Sequence, residues 1–237
     1  MSNSVTNSND YLQYLLKSWS AKSASELTGL NQLRASAIDS VGTQRLPNKH
    51  DEEWRFTDIS PLTRLAYPPS QQQSRLQFSD IDKFCLQNTT NRLVFVDNHY
   101  SPDLSNVADS QIQILGNLHS LMSSHASTIE SHLGHYAKFD HDIFTALNTA
   151  FLHDSALIIV PAKTCITEPI HLLFIASQQE VSSYPRSLVV SGPDSKVTLI
   201  EDYVSINQSS YITNTVTEIR LAAHAQVEHI RVQRDSK

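Results

Sequence analysis

The chain has 237 residues, 40% of them hydrophobic, and a formal net charge of -6. That is enough apolar material for one large domain or two modest ones, and too acidic a balance for a protein that binds by neutralising phosphates, so nucleic acid is not an expected partner. Two cysteines, Cys85 and Cys165, are too few for a disulfide framework and read as half-buried thiols of a reducing compartment.

The opening stretch MSNSVTNSND has no basic start, no apolar centre and no arginine, so it does not read as a secretory or transit leader. No run reaches the ~18 apolar residues of a membrane span. The expectation is a cytoplasmic protein without a membrane partner. The first third has helical spacing. Tyr11, Leu12, Leu15, Leu16 and Trp19 share one face; Ser23 and Glu26 have the form of a capping box before Leu27, Leu30, Leu33, Ala37 and Ile38, and Gly42 can end that helix. In DEEWRFTDISPL, residues 51–62, Asp51 is placed to cap a short helix with Glu52 and Glu53 in its first turn. Trp54 then faces inward as a buried anchor. Ser60 with Pro61 gives a second helix start.

PPSQQQS at 68–74 reads as an exposed loop. LVFVDNHYSPDLS at 93–105 reads as a strand and a turn, and IQIL at 112–115 as a second strand able to pair with it. Asn117 precedes a helical pattern through Leu118, Leu121, Met122, Ile129 and Leu133 to Gly134. Asp140 or Asp142 starts another through Ile143, Leu147, Ala150 and Phe151.

From Leu157 the texture changes to short strand-like runs: LIIVP, IHLLFIAS, SLVVSG, KVTLIEDYV, TVTEIRLA and QVEHIRVQ, separated by turn signals such as Gly192 to Ser195 and Ala222 to Ala225. Two regions are expected: a helical, mixed α+β domain over 1–150 and a β-rich domain over 151–237. Successive short strands without helices suit a sandwich, a barrel or a β-solenoid, and periodicity alone does not choose among them.

Candidate sites are thin. His125, His132, His135 and His141 lie close in sequence, but Gly134 breaks the helix that would present His132 and His135 to one metal. Glu201 and Asp202 are neighbours in a strand and so point to opposite faces, which does not suit a general acid and base pair. Glu168 before Pro169 and His171 after it suggest a cupin-like metal strand, but the companion histidine two residues from His171 is missing. No nucleophile elbow, phosphate loop or C-x-x-C occurs. The expected catalytic and metal sites are none, the cofactor-binding residues are unknown, and the chain is not expected to be an enzyme. The rival readings are a β-solenoid carbohydrate-active enzyme and a cupin-type metalloprotein.

Four separated segments, LPNKHDEEWRFTDISPL at 46–62, LNTAFLHDSALIIVPAKTCITEPIHLLFIAS at 147–177, PRSLVVSGPDSKVTLIEDYVS at 185–205 and YITNTVTEIRLAAHAQVEHIRVQRDS at 211–236, resemble the SufB/SufD family of iron-sulfur cluster assembly scaffolds. The DEEW-x-[FY]-T-D form is of the SufD type. The resemblance implies that residues from about 157 onward begin a right-handed parallel β-helix. It also implies a non-catalytic role in a complex with SufB and the SufC ATPase, where a cluster is built on the assembly and none is held stably by this chain. In that family further rungs, the SufB-pairing surface and the SufC-docking segment lie beyond the position of Lys237. A β-helix cut there would leave open rungs, with self-association through its last strands as the expectation.

Overall fold

The computed structural model describes residues 8–19, 28–87, 89–107, 114–207 and 210–234. The Ser23–Glu26 capping box, Leu27 and Lys237 lie outside them. Helices α1 (Ser8–Ser18) and α2 (Thr28–Thr43) pack with α6 (Ile143–Ala150) around Tyr11, Leu15, Ala37, Val41, Ala146, Leu147 and Ala150. The apolar stripes read from the sequence are therefore core, as their 3.6-residue spacing requires. Asp142 caps α6: its carboxylate accepts from the Phe144 and Thr145 amides.

The strands are β1 (Asn91–Val96), β2 (His99–Tyr100), β3 (Ile114–Asn117), β4 (Ala156–Val160), β5 (Ile170–Ala176), β6 (Ser182–Ser183), β7 (Arg186–Ser191), β8 (Lys196–Ser205), β9 (Ile212–Thr213), β10 (Val216–Leu221) and β11 (Gln226–Arg234). They form three mixed or parallel sheets ordered β11-β8-β5-β1-β2, β10-β7-β4-β3 and β6-β9. Within the β-rich part every pairing is parallel, and partners lie about 30 residues apart: Ile170 beside Leu199, Arg186 beside Val216, Lys196 beside Gln226 and Ser182 beside Ile212.

The turns repeat with the strands. Lys163, Asp194 and His224 each take the left-handed backbone conformation at equivalent places. Lys163 donates its amide to Pro193 and Asp194 donates to Ala223, so each turn lies on the next. Gly192 makes that approach possible, because a Cβ there would sit 2.6 Å from the Ala162 amide nitrogen. Between the two large sheets Phe95, Phe174 and Tyr203 occupy one register column, with ring centroids 5.2 and 5.0 Å apart. The outer face of the four-stranded sheet is covered by α5 (Leu118–Glu130) through Leu118, Met122 and Ile129 against Leu157 and Leu188.

Several expectations change. β1 and β3 do not pair: β1 joins β5 and β2, whereas β3 runs antiparallel to β4, so strands from the first 150 residues are built into the sheets of the β-rich part. Asn117 precedes α5, as read, without a side-chain cap bond, and its side-chain amide donates to Asp154. The helix ends at Glu130, before Gly134, which takes φ +80 and faces Leu33 so closely that a side chain would overlap it. Pro69 bridges Ser182 beside β6, so only residues 71–73 of the glutamine-rich stretch are exposed as a run. Cys85 is half-buried, but Cys165 is exposed.

The DEEW segment differs most. Glu52–Trp54 form one 3-10 turn, and Asp51 makes no side-chain cap. Its carboxylate instead receives a fork from Arg45 at 2.6 and 2.7 Å. An aligned two-point ion pair outcompetes a lone cap bond. Trp54 is half-buried, its ring centroid 5.2 Å from that of Phe144. Trp54→Ala is therefore expected to cost about 1–2 kcal/mol, less than a fully buried tryptophan. Urea unfolding checks this, and a loss above about 3 kcal/mol would show that the ring anchors more than Phe144.

Candidate functional site

Charged side chains are concentrated inside the strand stack, where burial makes each one costly unless it is paired. Arg186 opens β7 after Pro185 and is fully buried; Glu218 lies beside Leu188 on β10, one turn on. They form an ion pair with Nη2 to Oε2 at 2.8 Å and Nε to Oε2 at 3.0 Å. Arg186 Nη1 donates to Asn148 Oδ1 and Thr149 Oγ1 on α6, both at 3.0 Å. Glu218 accepts amide bonds from Gly134, Tyr136 and Ala137 at 2.9 to 3.1 Å. One buried pair thus ties β7, β10, α6 and the turn after α5 together. Burial alone would raise the Glu218 carboxyl, but Arg186 and the three amides hold it below its usual value.

Glu201 and Asp202 do point to opposite faces of β8, and both are buried. Glu201 accepts from Thr217 Oγ1 at 2.9 Å and lies 3.1 Å from His229 Nε2. Burial opposes its ionisation, yet these partners keep its carboxyl low, while Glu201 raises His229. On the other face Asp202 lies 3.4 Å from the buried His171 ring and pairs with Arg234 of β11. His171 therefore faces Asp202, while Glu168 accepts the Thr90 hydroxyl at 2.5 Å. The two residues of the cupin-like strand are not brought to one site.

The four sequence-adjacent histidines also diverge. His125 bonds Ser124 and His132 bonds Tyr136, each through Nδ1; His135 borders an apolar pocket with Leu30 and Leu133, and His141 borders a polar cleft with Trp54. Among the described residues no group of three or more His, Cys, Asp or Glu side chains is placed to hold a metal ion. A different cluster forms instead, from β2, the start of α5 and the segment after α6. The His99 and His153 ring centroids are 4.3 Å apart, and those of His119 and His153 are 5.4 Å apart; His119 Nδ1 lies 3.4 Å from Asp154, which also accepts from Asn117 at 2.7 Å. No sequence spacing signals this cluster, because sheet pairing assembles it.

Burial, and then the neighbouring His99 and His119 rings, push the His153 pKa down to about 4 from 6.5. Burial lowers His99 as well, whereas Asp154 raises His119. Well above pH 6.5 His153 is neutral in both folded and unfolded chains. As pH falls from 6.5 towards 4 the unfolded chain takes up a proton that the folded one refuses, so this group's contribution to stability is lost. His153→Gln is expected to flatten the decline in unfolding midpoint across that window; an unchanged slope would remove His153 as its cause.

Residues 5–172 match the sequence model described as "SufBD protein N-terminal region", and residues 174–237 match "SUF system FeS cluster assembly, SufBD core domain". The chain is 36% identical to a Synechocystis protein described as an iron-sulfur cluster assembly SufBD family protein, covering 93% of the chain and 51% of that protein. It is 25% identical to the chloroplastic protein ABCI7 of Arabidopsis thaliana over 92% of the chain and 47% of that protein. It is 22% identical to the iron-sulfur cluster assembly protein SufD of Escherichia coli over 79% of the chain and 42% of that protein. The chain spans about half the length of the curated relatives it matches.

Proposed function

This chain belongs to the SufB/SufD family of the SUF iron-sulfur cluster assembly system, and from that premise we propose that it is a SufD-type scaffold acting in a complex with SufB and the SufC ATPase. The observation that carries the reading is the ordered match of both family regions across nearly the whole chain. The DEEWRFTD segment, of the SufD form, favours that branch. The strand stack reads as the first turns of a right-handed parallel β-helix; the parallel partners about 30 residues apart and the three superposed turns support it. Its role is structural and not catalytic, in the cytoplasm. In support, the buried carboxylates Glu201, Asp202 and Glu218 are each held by a cation or histidine and by hydrogen-bond donors or neighbouring strands, and no helix among the described residues is long and apolar enough to cross a membrane. The iron-sulfur cluster is cargo of the assembly, not a resident of this chain. A chimera in which this chain replaces the matched region of the Synechocystis relative tests the role. It is expected to copurify with that organism's SufB and SufC and to support cluster assembly. A chimera that accumulates folded but fails to join them would overturn the scaffold reading.

The same reading predicts how the 237-residue chain behaves alone. Among the described residues β9, β10 and β11 each pair on one side only, and Leu221 and Ile230 on the last two strands are 52% and 40% exposed. Unpaired edges with apolar side chains recruit further strands. The chain is expected to self-associate through β10 and β11, seen as a sedimentation coefficient that rises with concentration. A monomer at all concentrations, with hydrogen exchange as slow in 213–234 as in 170–205, would count against it.

A further inference from the structure

The turn opened by Asp51 borders a cleft that takes no part in the strand stack. It has a volume of about 630 Å³ and is walled by Arg45, Asp51, Glu53, Trp54, Asp140 and Asp142, with Phe144 against the Trp54 ring. One arginine faces four carboxylates, and that arginine is engaged by Asp51. Asp142 caps α6. Glu53 and Asp140 are exposed, and among the described residues neither forms a hydrogen bond or an ion pair. The cleft therefore holds uncompensated negative charge beside the Trp54 indole.

Phe56, two residues after Trp54 and outside the residues that wall the cleft, is 95% exposed, with the Arg55 guanidinium 5.6 Å from its ring centroid. Its backbone is not loose: Thr57 donates its amide to Trp54 at 2.9 Å, Ser60 donates to Asp58 at 2.9 Å, and Asn48 donates to Asp51 at 2.8 Å. A bulky ring held out in water on a tied turn keeps apolar surface available for a partner at little further ordering cost. A guanidinium suits the cleft better than an ammonium, because its flat face stacks on an indole while its edge donates two parallel bonds to a carboxylate. An acidic or purely apolar segment would leave Glu53 and Asp140 desolvated without a counter-charge.

We propose that the Trp54 cleft and Phe56 together form a docking surface for an arginine-bearing extended segment of a partner protein, with the guanidinium against Trp54 near Glu53 and Asp140 and the flanking apolar residues over Phe56. This surface lies on the helical side of the chain and stands independently of the scaffold reading.

The test follows the two tryptophan indole N–H signals of the chain by NMR, assigned with Trp19→Phe. The chain is titrated with the peptide acetyl-Gly-Leu-Arg-Leu-Gly-amide, with its citrulline counterpart and with ethylguanidine. The Trp54 signal is expected to shift saturably with the arginine peptide while that of Trp19 stays in place. Affinity should drop at least tenfold for the citrulline peptide, and likewise in the Glu53→Gln, Asp140→Asn chain, whose unfolding midpoint should remain that of the parent because both sites are exposed. Phe56→Ser should weaken the peptide several-fold and leave ethylguanidine unaffected. The docking surface is overturned by the absence of a saturable shift, by equal binding of the citrulline peptide, or by full binding to the doubly neutralised chain. Ethylguanidine binding as tightly as the peptide would equally overturn it, since that marks a pocket for small cations.

Discussion

Glu218→Ala is expected to cost about 5 kcal/mol, the largest loss of any single substitution considered. The change leaves Arg186 charged, fully buried and without its ion-pair partner, which by itself costs about 3–5 kcal/mol. It also strips the acceptor from the amides of Gly134, Tyr136 and Ala137, and a buried unmade bond adds about 1–3 kcal/mol where water cannot replace it. Water entering along the exposed Tyr136 side offsets part of that sum. Glu218→Gln keeps an acceptor for the turn amides but loses the charge, so it should recover roughly half of the loss. Urea unfolding at pH 7 gives both numbers. The carboxyl is held below its usual 4.5 in the folded chain, so its contribution is present above that pH and lost as pH falls through the lower folded value. The penalty of the alanine variant should therefore shrink in strong acid. If Glu218→Ala costs below about 1 kcal/mol at pH 7, the buried pair does not fasten the helical side to the strand stack.

Phe174→Ala should be the next most damaging, at about 4 kcal/mol. Phe174 is 5% exposed and lies in one column between Phe95 and Tyr203. Removing its ring deletes the transfer term of a large aromatic and opens a void between two sheets whose backbones, locked by parallel ladders, cannot collapse into it. Phe174→Leu refills most of that volume and should cost about 1.5 kcal/mol or less. The contrast between the two variants is the test. Similar losses for both would place the effect in the lost ring stacking and not in the cavity, because leucine restores volume but not stacking. A near-UV circular dichroism change assigned to Tyr203 should accompany the alanine variant alone.

Sequence by itself determined the local elements wherever one period prevailed. The stripes of α1, α2 and α6, a helix start at Asp140 or Asp142 and the strand-like runs after Leu157 follow from side-chain spacing and from local hydrogen bonding, which act within a few residues. The opposed faces of Glu201 and Asp202 follow equally from the two-residue repeat of a strand. What the chain assembles across distance was decided only by tertiary structure. His171 and the Ile200 it adjoins stand 29 positions apart, and nothing local in the sequence marks that pairing. The partners of β1 and β3, the His99, His119 and His153 cluster, and the seating of Arg186 on Glu218 all come from contacts between residues far apart in the chain, some through parallel ladders and some, as for β3, through antiparallel ones. Even the DEEW segment changed meaning in this way: Asp51 is a sound cap by its type and position, but Arg45, brought six residues back around the turn, offers it two charged donors, and that stronger local field decides its bond.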